Sequence, residues 1–205
     1  MKKIKICGIK SQDNLNAMAA LELDWIGLNF YEKSKRFVEN SLITNHISQP
    51  LVGVFVNEDI ESLIATFKKY NLSYLQLHGG ESVEYCQKAQ KYCPVVKVFS
   101  VDAEFNFVET EEFDFCDYFL FDTKCKDFGG SGHKFDWGKL NEYTGDVPFI
   151  LAGGIGPDDI EVIQAIQHDK LYGIDINSKF EIEAGIKDMD KVDNFIKELK
   201  KMIHE

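Results

Sequence analysis

The sequence predicts a single (β/α)₈ barrel of the TIM type, filling residues 1–205 as one domain. Three observations predict it. Short apolar runs rich in β-branched residues recur eight times, each nearly continuous, as in strands buried on both faces. Polar stretches with helical apolar spacing separate them. No linker or shift in composition interrupts the alternation, and 205 residues suit one parallel barrel near the lower limit of that fold. An open, doubly wound sheet is the rival arrangement, and the count of eight favours closure.

The runs are Ile4–Cys7, Trp25–Phe30, Leu51–Val56, Tyr74–His78, Val95–Ser100, Tyr118–Asp122, Pro148–Gly153 and Tyr172–Ile176. Ser11 stands ahead of a helical stretch with Leu15, Met18 and Ala19 on one face and Asp13-Asn14 in its first turn. Ile60, Leu63, Ile64 and Phe67 repeat at i, i+3, i+4 and i+7. Pro157 occupies a first helical position ahead of Ile160, Ile163 and Ile166. Val192, Phe195, Ile196, Leu199 and Ile203 form the last stripe. The stretch from Asp102 to Glu112 has the weakest helical pattern and is expected to be short or irregular.

Composition narrows the function. Hydrophobic residues make up 44% of the chain, enough for a packed core. The formal net charge of −11 argues against nucleic-acid binding, which needs a basic face. It also means that any site for an anionic substrate is built locally, from backbone N–H groups and a few cations. No apolar stretch is long enough to span a bilayer, and no secretory signal precedes the first strand. The five cysteines (Cys7, Cys86, Cys93, Cys116 and Cys125) are odd in number and contain no C-x-x-C pair, so neither a disulfide framework nor a zinc site is indicated. The expectation is a soluble, reduced, cytoplasmic protein with no metal and no membrane or nucleic-acid partner.

In such a barrel the chemistry sits where the strands end. The first run ends in Cys7-Gly8. A cysteine is usually a buried, inert hydrophobe, but a thiolate at a strand end accepts a proton if nearby cations or dipoles favour it. The other cysteines lack this placement and read as structural. The sixth run ends in Asp122 after four apolar or aromatic residues. Those surroundings disfavour a bare carboxylate and suit a general acid; the alternative is a cap, or an ion pair with Lys124 or Lys126. The seventh ends in Gly153-Gly154-Ile155-Gly156-Pro157 and the eighth in Asp175-Ile176-Asn177-Ser178. Loops after strands 7 and 8 form a recurring phosphate site in these barrels, although glycines there are also ordinary turn residues. Lys33, Lys35 and Arg36 follow the second run, as a solvated loop or as a clamp for a second anion, for which Arg36 offers a fork matching a carboxylate. The glycine-dense segment 127–134 reads as a lid or as a plain linker.

The same residues carry a family resemblance. Lys5-Ile6-Cys7-Gly8-Ile9, Ser34-Lys35-Arg36-Phe37-Val38, Gln76-Leu77-His78-Gly79, Phe121-Asp122-Thr123, Gly129-Gly130-Ser131-Gly132 with Phe135-Asp136-Trp137, Leu151-Ala152-Gly153-Gly154-Ile155, Gly173-Ile174-Asp175-Ile176 and Gly185-Ile186-Lys187-Asp188 run in order through nearly the whole chain. This set resembles phosphoribosylanthranilate isomerases of tryptophan biosynthesis. The resemblance implies an Amadori rearrangement of N-(5-phosphoribosyl)anthranilate to 1-(2-carboxyphenylamino)-1-deoxyribulose 5-phosphate. It implies Asp122 as general acid on the furanose ring oxygen and Cys7 as general base on the C2 proton. Arg36 would hold the anthranilate carboxylate, and His78, Gly153, Gly154, Asp175, Asn177 and Ser178 would complete the substrate site. It implies no cofactor, because the substrate nitrogen is the electron sink, and a monomer or homodimer. The chain departs from the family pattern after the eighth run, where Asp-Val-Ser-Ser-Gly-Val-Glu is replaced by Asp175-Ile176-Asn177-Ser178-Lys179-Phe180-Glu181. Losing that glycine removes backbone freedom near the phosphate; Lys179 either compensates as a point charge or faces solvent. Other barrel chemistries stay open: an isomerase with paired carboxylates, a metal-dependent epimerase, or a barrel that only binds a phosphorylated metabolite.

Overall fold

The computed structural model describes residues 2–124 and 134–201. Eight parallel strands form its centre: β1 (Lys3–Cys7), β2 (Trp25–Asn29), β3 (Leu51–Phe55), β4 (Tyr74–Leu77), β5 (Val95–Val101), β6 (Tyr118–Thr123), β7 (Phe149–Leu151) and β8 (Leu171–Ile176). Each pairs with its sequence neighbours, and β8 returns to pair with β1, so the sheet is a closed barrel. An antiparallel pair, β9 (Glu181–Glu183) and β10 (Ile186–Lys187), follows β8.

Five α-helices lie among the described residues: α1 (Gln12–Ala19), α2 (Ile60–Tyr70), α3 (Val83–Gln90), α4 (Ile160–Ala165) and α5 (Met189–Lys201). Ser11, Asp59 and Ser82 cap the first three by accepting backbone N–H bonds in the first turn. A helix was expected in each connection, short or irregular between Asp102 and Glu112; that stretch is as expected, and two other connections differ. Between β5 and β6 the chain forms a 3-10 turn, Phe107–Phe113, and between β6 and β7 another, Trp137–Glu142. The apolar spacing explains both. Phe107, Thr110 and Phe113, and likewise Trp137, Leu140 and Tyr143, recur every third residue, the period of a 3-10 helix. The connection from β2 to β3 has no helix at all. It is dense in Asn40, Ser41, Thr44, Asn45 and Ser48, whose side chains compete for backbone hydrogen bonds, and it ends at Pro50. Buried Val38 and Leu42 pin it to the core instead.

Side chains split by strand alternation into two layers. Outward residues such as Ile4, Ile6, Leu75, Phe119 and Phe121 pack under the helices. The inward layer is small: Trp25, Val52, Val96, Val98, Leu120, Ile150 and Ala152. Its base is closed by aromatics. Trp25 lies 4.4 Å from the Tyr74 ring and 5.1 Å from that of Tyr118, which is 4.7 Å from Tyr172. Tyr172 joins this layer through a register shift between β7 and β8. Trp25→Ala empties the centre of the plug and is expected to cost about 3–5 kcal/mol, read as a lower urea midpoint. A variant within 1 kcal/mol of the parent would show that the plug carries little of the stability.

Candidate active site

The open end of the barrel is polar. Ile4 and Ile6 face outward, so Lys5 and Cys7 alternate inward on β1. Gly27 sits opposite Cys7 on β2, and a Cβ there would stand 2.7 Å from Cys7 Sγ, so only glycine leaves the thiol its space. Cys7 is 5% exposed. Burial pushes its thiol pKa up, and the ammonium groups of Lys5 and Lys187 offset this only in part. The condition set by the sequence, nearby cations, is therefore met, yet burial outweighs them. The Lys5 ammonium is 2.7 Å from Asp175, its in-register neighbour on β8, and this pair is buried directly beneath the thiol. Burial opposes the charge on Lys5, but Asp175 and Cys7 outweigh it and raise its pKa.

Across the barrel, Asp122 shares the inward face of β6 with Tyr118 and Leu120. One carboxylate oxygen accepts the Thr123 N–H at 2.8 Å, and the other lies 3.5 Å from His78 Nε2. The Gln76 amide meets the far side of that imidazole at Nδ1, 3.2 Å away. Lys124 pairs with Asp102 instead, which removes one of the structural partners considered for Asp122; Lys126 lies outside the described residues. Gly153, at φ +90°, brings the β7 loop onto Asp122: a Cβ there would be 3.0 Å from its Oδ1 and in conflict with Thr123. Gly154 follows, also left-handed at φ +67°.

Arg36 reaches the same end from the β2–β3 connection. Its Nε and Nη2 donate to Glu181 at 2.8 and 2.7 Å, so one edge of the guanidinium is taken, while Nη1 has no hydrogen bond among the described residues. Glu181 also accepts from Lys187 at 2.7 Å, and Lys187 donates to Asn177 Oδ1 at 2.6 Å. Burial raises the pKa of Glu181, but Arg36 and Lys187 outweigh it and hold the carboxyl below its ordinary value. Burial lowers that of Lys187.

The structure thus brings Cys7, Asp122, Arg36, His78, Gly153, Gly154, Asp175 and Asn177 to one end of the barrel. Asp175 lies within β8, as the eighth run placed it, and Lys5 holds it beneath Cys7. The Asn177 side-chain oxygen is engaged by Lys187. Ser178 opens a 3-10 turn with Lys179 and Phe180. Lys33 and Lys35 are exposed. Buried Cys86 is pushed up to about 11, and Cys93 and Cys116 to about 12, by burial, which suits structural thiols. Cys125 and most of the glycine-rich segment lie outside the described residues. Lys5, Glu181 and Lys187 were missed as site residues. Lys5 was findable, since it is a lysine alternating with Ile4 and Ile6 in a run expected to be buried.

Beside the glycines of the β7 loop is a cavity of about 390 Å³, walled by Lys134, Gly154, Gly156, Asp159 and Lys179 among others. Asp159 accepts the Gly156 N–H at 2.7 Å and pairs with Lys134 at 2.5 Å.

The sequence that builds this barrel mouth matches a known family. The model of N-(5'phosphoribosyl)anthranilate (PRA) isomerases matches residues 4–198. The chain belongs to the N-(5'-phosphoribosyl)anthranilate isomerase family. A family member from Parabacteroides distasonis is 46% identical over 96% of this chain and 92% of its own length. One from Phocaeicola vulgatus is 37% identical over 98% of each chain. Among solved family structures, the isomerase from Thermotoga maritima aligns with a TM-score of 0.82 at 30% identity, covering 98% of this chain and 100% of that one. Another, bound to reduced 1-(o-carboxyphenylamino)-1-deoxyribulose 5-phosphate, aligns at 0.79 and 27%, with the same coverage. No helix among the described residues is long and apolar enough to cross a membrane.

Proposed function

We propose that this chain isomerises N-(5-phosphoribosyl)anthranilate to 1-(2-carboxyphenylamino)-1-deoxyribulose 5-phosphate, with Asp122 as general acid and Cys7 as general base. The observation that carries this reading is the pairing of an inward thiol on β1 with an inward carboxyl on β6 at the same barrel mouth. Asp122 protonates the furanose ring oxygen, and the C1–O bond breaks as the anilino nitrogen lone pair forms the Schiff-base cation. Cys7 removes the C2 proton, and those electrons neutralise the cation to an enolamine. Uptake of a proton at C1 and release of the enol proton give the ketone, and solvent returns the proton gained by Cys7 to Asp122. The Lys5–Asp175 and Lys187–Glu181 pairs place cations near the thiol as it ionises. The Nη1 edge of Arg36 receives the anthranilate carboxylate, and the loops after β7 and β8 receive the phosphate. The base must be a free thiol, and the four described cysteines are free, which suits a reducing cytoplasm. The chain acts on its small phosphorylated substrate as a monomer or homodimer.

The test is activity. The purified chain should abolish the anthranilate-type fluorescence of N-(5-phosphoribosyl)anthranilate and restore growth of a tryptophan auxotroph lacking this step. Neither effect from folded protein would reject the reading.

A further inference from the structure

This inference rests on the reading that a sugar phosphate binds beside the β7 and β8 loops. A phosphate dianion approaching this chain meets a net charge of −11, so its site needs positive potential supplied on the spot. The cavity beside Gly154 and Gly156 is walled by two lysines and by backbone N–H groups, and Asp159 uses one lysine and one N–H internally. Its Oδ2 holds the Gly156 N–H at 2.7 Å, and its Oδ1 holds the Lys134 ammonium. The exposed Asp158 on the same wall adds a further negative charge.

Lys179 is the cation left over. It is exposed and has no ion pair or hydrogen bond among the described residues. Its stem lies along the wall: Cβ and Cγ are each 3.7 Å from where a Cβ on Gly156 would stand. A lysine packed this way keeps its ammonium in water at the cavity mouth. We propose that Lys179 supplies the positive charge that captures the substrate phosphate, making it the residue by which this chain selects phosphorylated over unphosphorylated substrate. The contact is exposed, so it is sensitive to salt.

The experiment compares the parent with Lys179→Gln and Lys179→Ala, using Lys88→Gln, on the exposed face of α3, as the control. The probes are inorganic phosphate, by calorimetry and by inhibition, and N-(5-phosphoribosyl)anthranilate, by turnover. A charged hydrogen bond of ordinary strength corresponds to a loss of about tenfold. Both Lys179 variants should bind phosphate about tenfold more weakly at low salt and show a raised KM with a much smaller change in kcat. The difference from the parent should shrink as salt is added, and the control should match the parent. Phosphate affinity and KM within twofold of the parent at low salt would overturn the proposal and place Lys179 in solvent. Phosphate binding is read without turnover, so the two readings fail separately. Lys179-dependent phosphate binding in a chain that does not isomerise would reject the function and keep the site. An active isomerase indifferent to Lys179 would do the reverse.

Discussion

Cys7→Ala and Asp122→Asn should each lower turnover of N-(5-phosphoribosyl)anthranilate by about 10²–10⁴-fold, the range for losing a positioned general base or acid. Neither change should unfold the barrel. Alanine removes one sulfur atom from a site where Gly27 already leaves space, so no clash is created. Asparagine keeps the shape of Asp122 and can still accept the Thr123 N–H, but it has no acidic proton to give. The readout is loss of substrate fluorescence at saturating substrate, with circular dichroism confirming the fold. On the proposed mechanism, where the two groups act in one proton-transfer sequence, the double variant should lose much less than the product of the two single effects. Near-parental turnover in either single variant would reject that residue's role.

Glu181→Gln should be among the most destabilising polar substitutions, at about 3–5 kcal/mol, because it leaves buried cations without their counter-charge. Glu181 is 6% exposed in its side chain and meets both Arg36 and Lys187, which is itself fully buried. Adding Lys187→Met removes one of the stranded cations and should recover part of the loss, a coupling visible in a double-mutant cycle by urea unfolding. The pH dependence has a definite sign. The folded-state pKa of Glu181 lies below its ordinary value of 4.5, so its contribution is present above that pH and is lost as pH falls through the folded-state pKa. Parent and Glu181→Gln should therefore converge in stability in acid and separate on going to neutral pH. A gap that stays constant across that range would show that packing, not charge, is what Glu181 contributes.

Much of this was legible in the sequence, for physical reasons that differ by element. All eight apolar runs became strands, because a strand covered on both faces leaves a continuous apolar signature. β7 came out shortest, at Phe149–Leu151. Pro148 has no N–H to give to the ladder, and Gly153 has turned into the left-handed region. The connections were less legible. Phe107, Thr110 and Phe113 look like a faint helix until their period of three is recognised as a 3-10 turn. At the barrel mouth, the positions of Cys7 and Asp122 at the ends of β1 and β6 were readable from the apolar runs that precede them. Their surroundings were not. Glu181 and Lys187 lie beyond β8 and reach the barrel mouth only because a 3-10 turn and the β9–β10 pair fold that segment back, a long-range consequence that no local pattern encodes. The bidentate hold of Glu181 on Arg36, which decides which edge of the guanidinium is open, was hidden for the same reason.

The pH dependence of kcat/KM, in the parent and in Cys7→Ala, tests the account most directly. In the proposed mechanism the active form carries one proton in all on the pair: Asp122 holds it and Cys7 is free of it. A pair containing one proton goes inactive when the last one leaves, and burial pushes the thiol above its ordinary range, so that final loss is the thiol's. The account predicts that the parent keeps its activity past the ordinary thiol value of about 8.5 and then falls about tenfold per pH unit. The residual activity of Cys7→Ala should lack that alkaline fall. An identical alkaline limb in the variant, or a parental limb below the ordinary thiol range, would contradict Cys7 as the base.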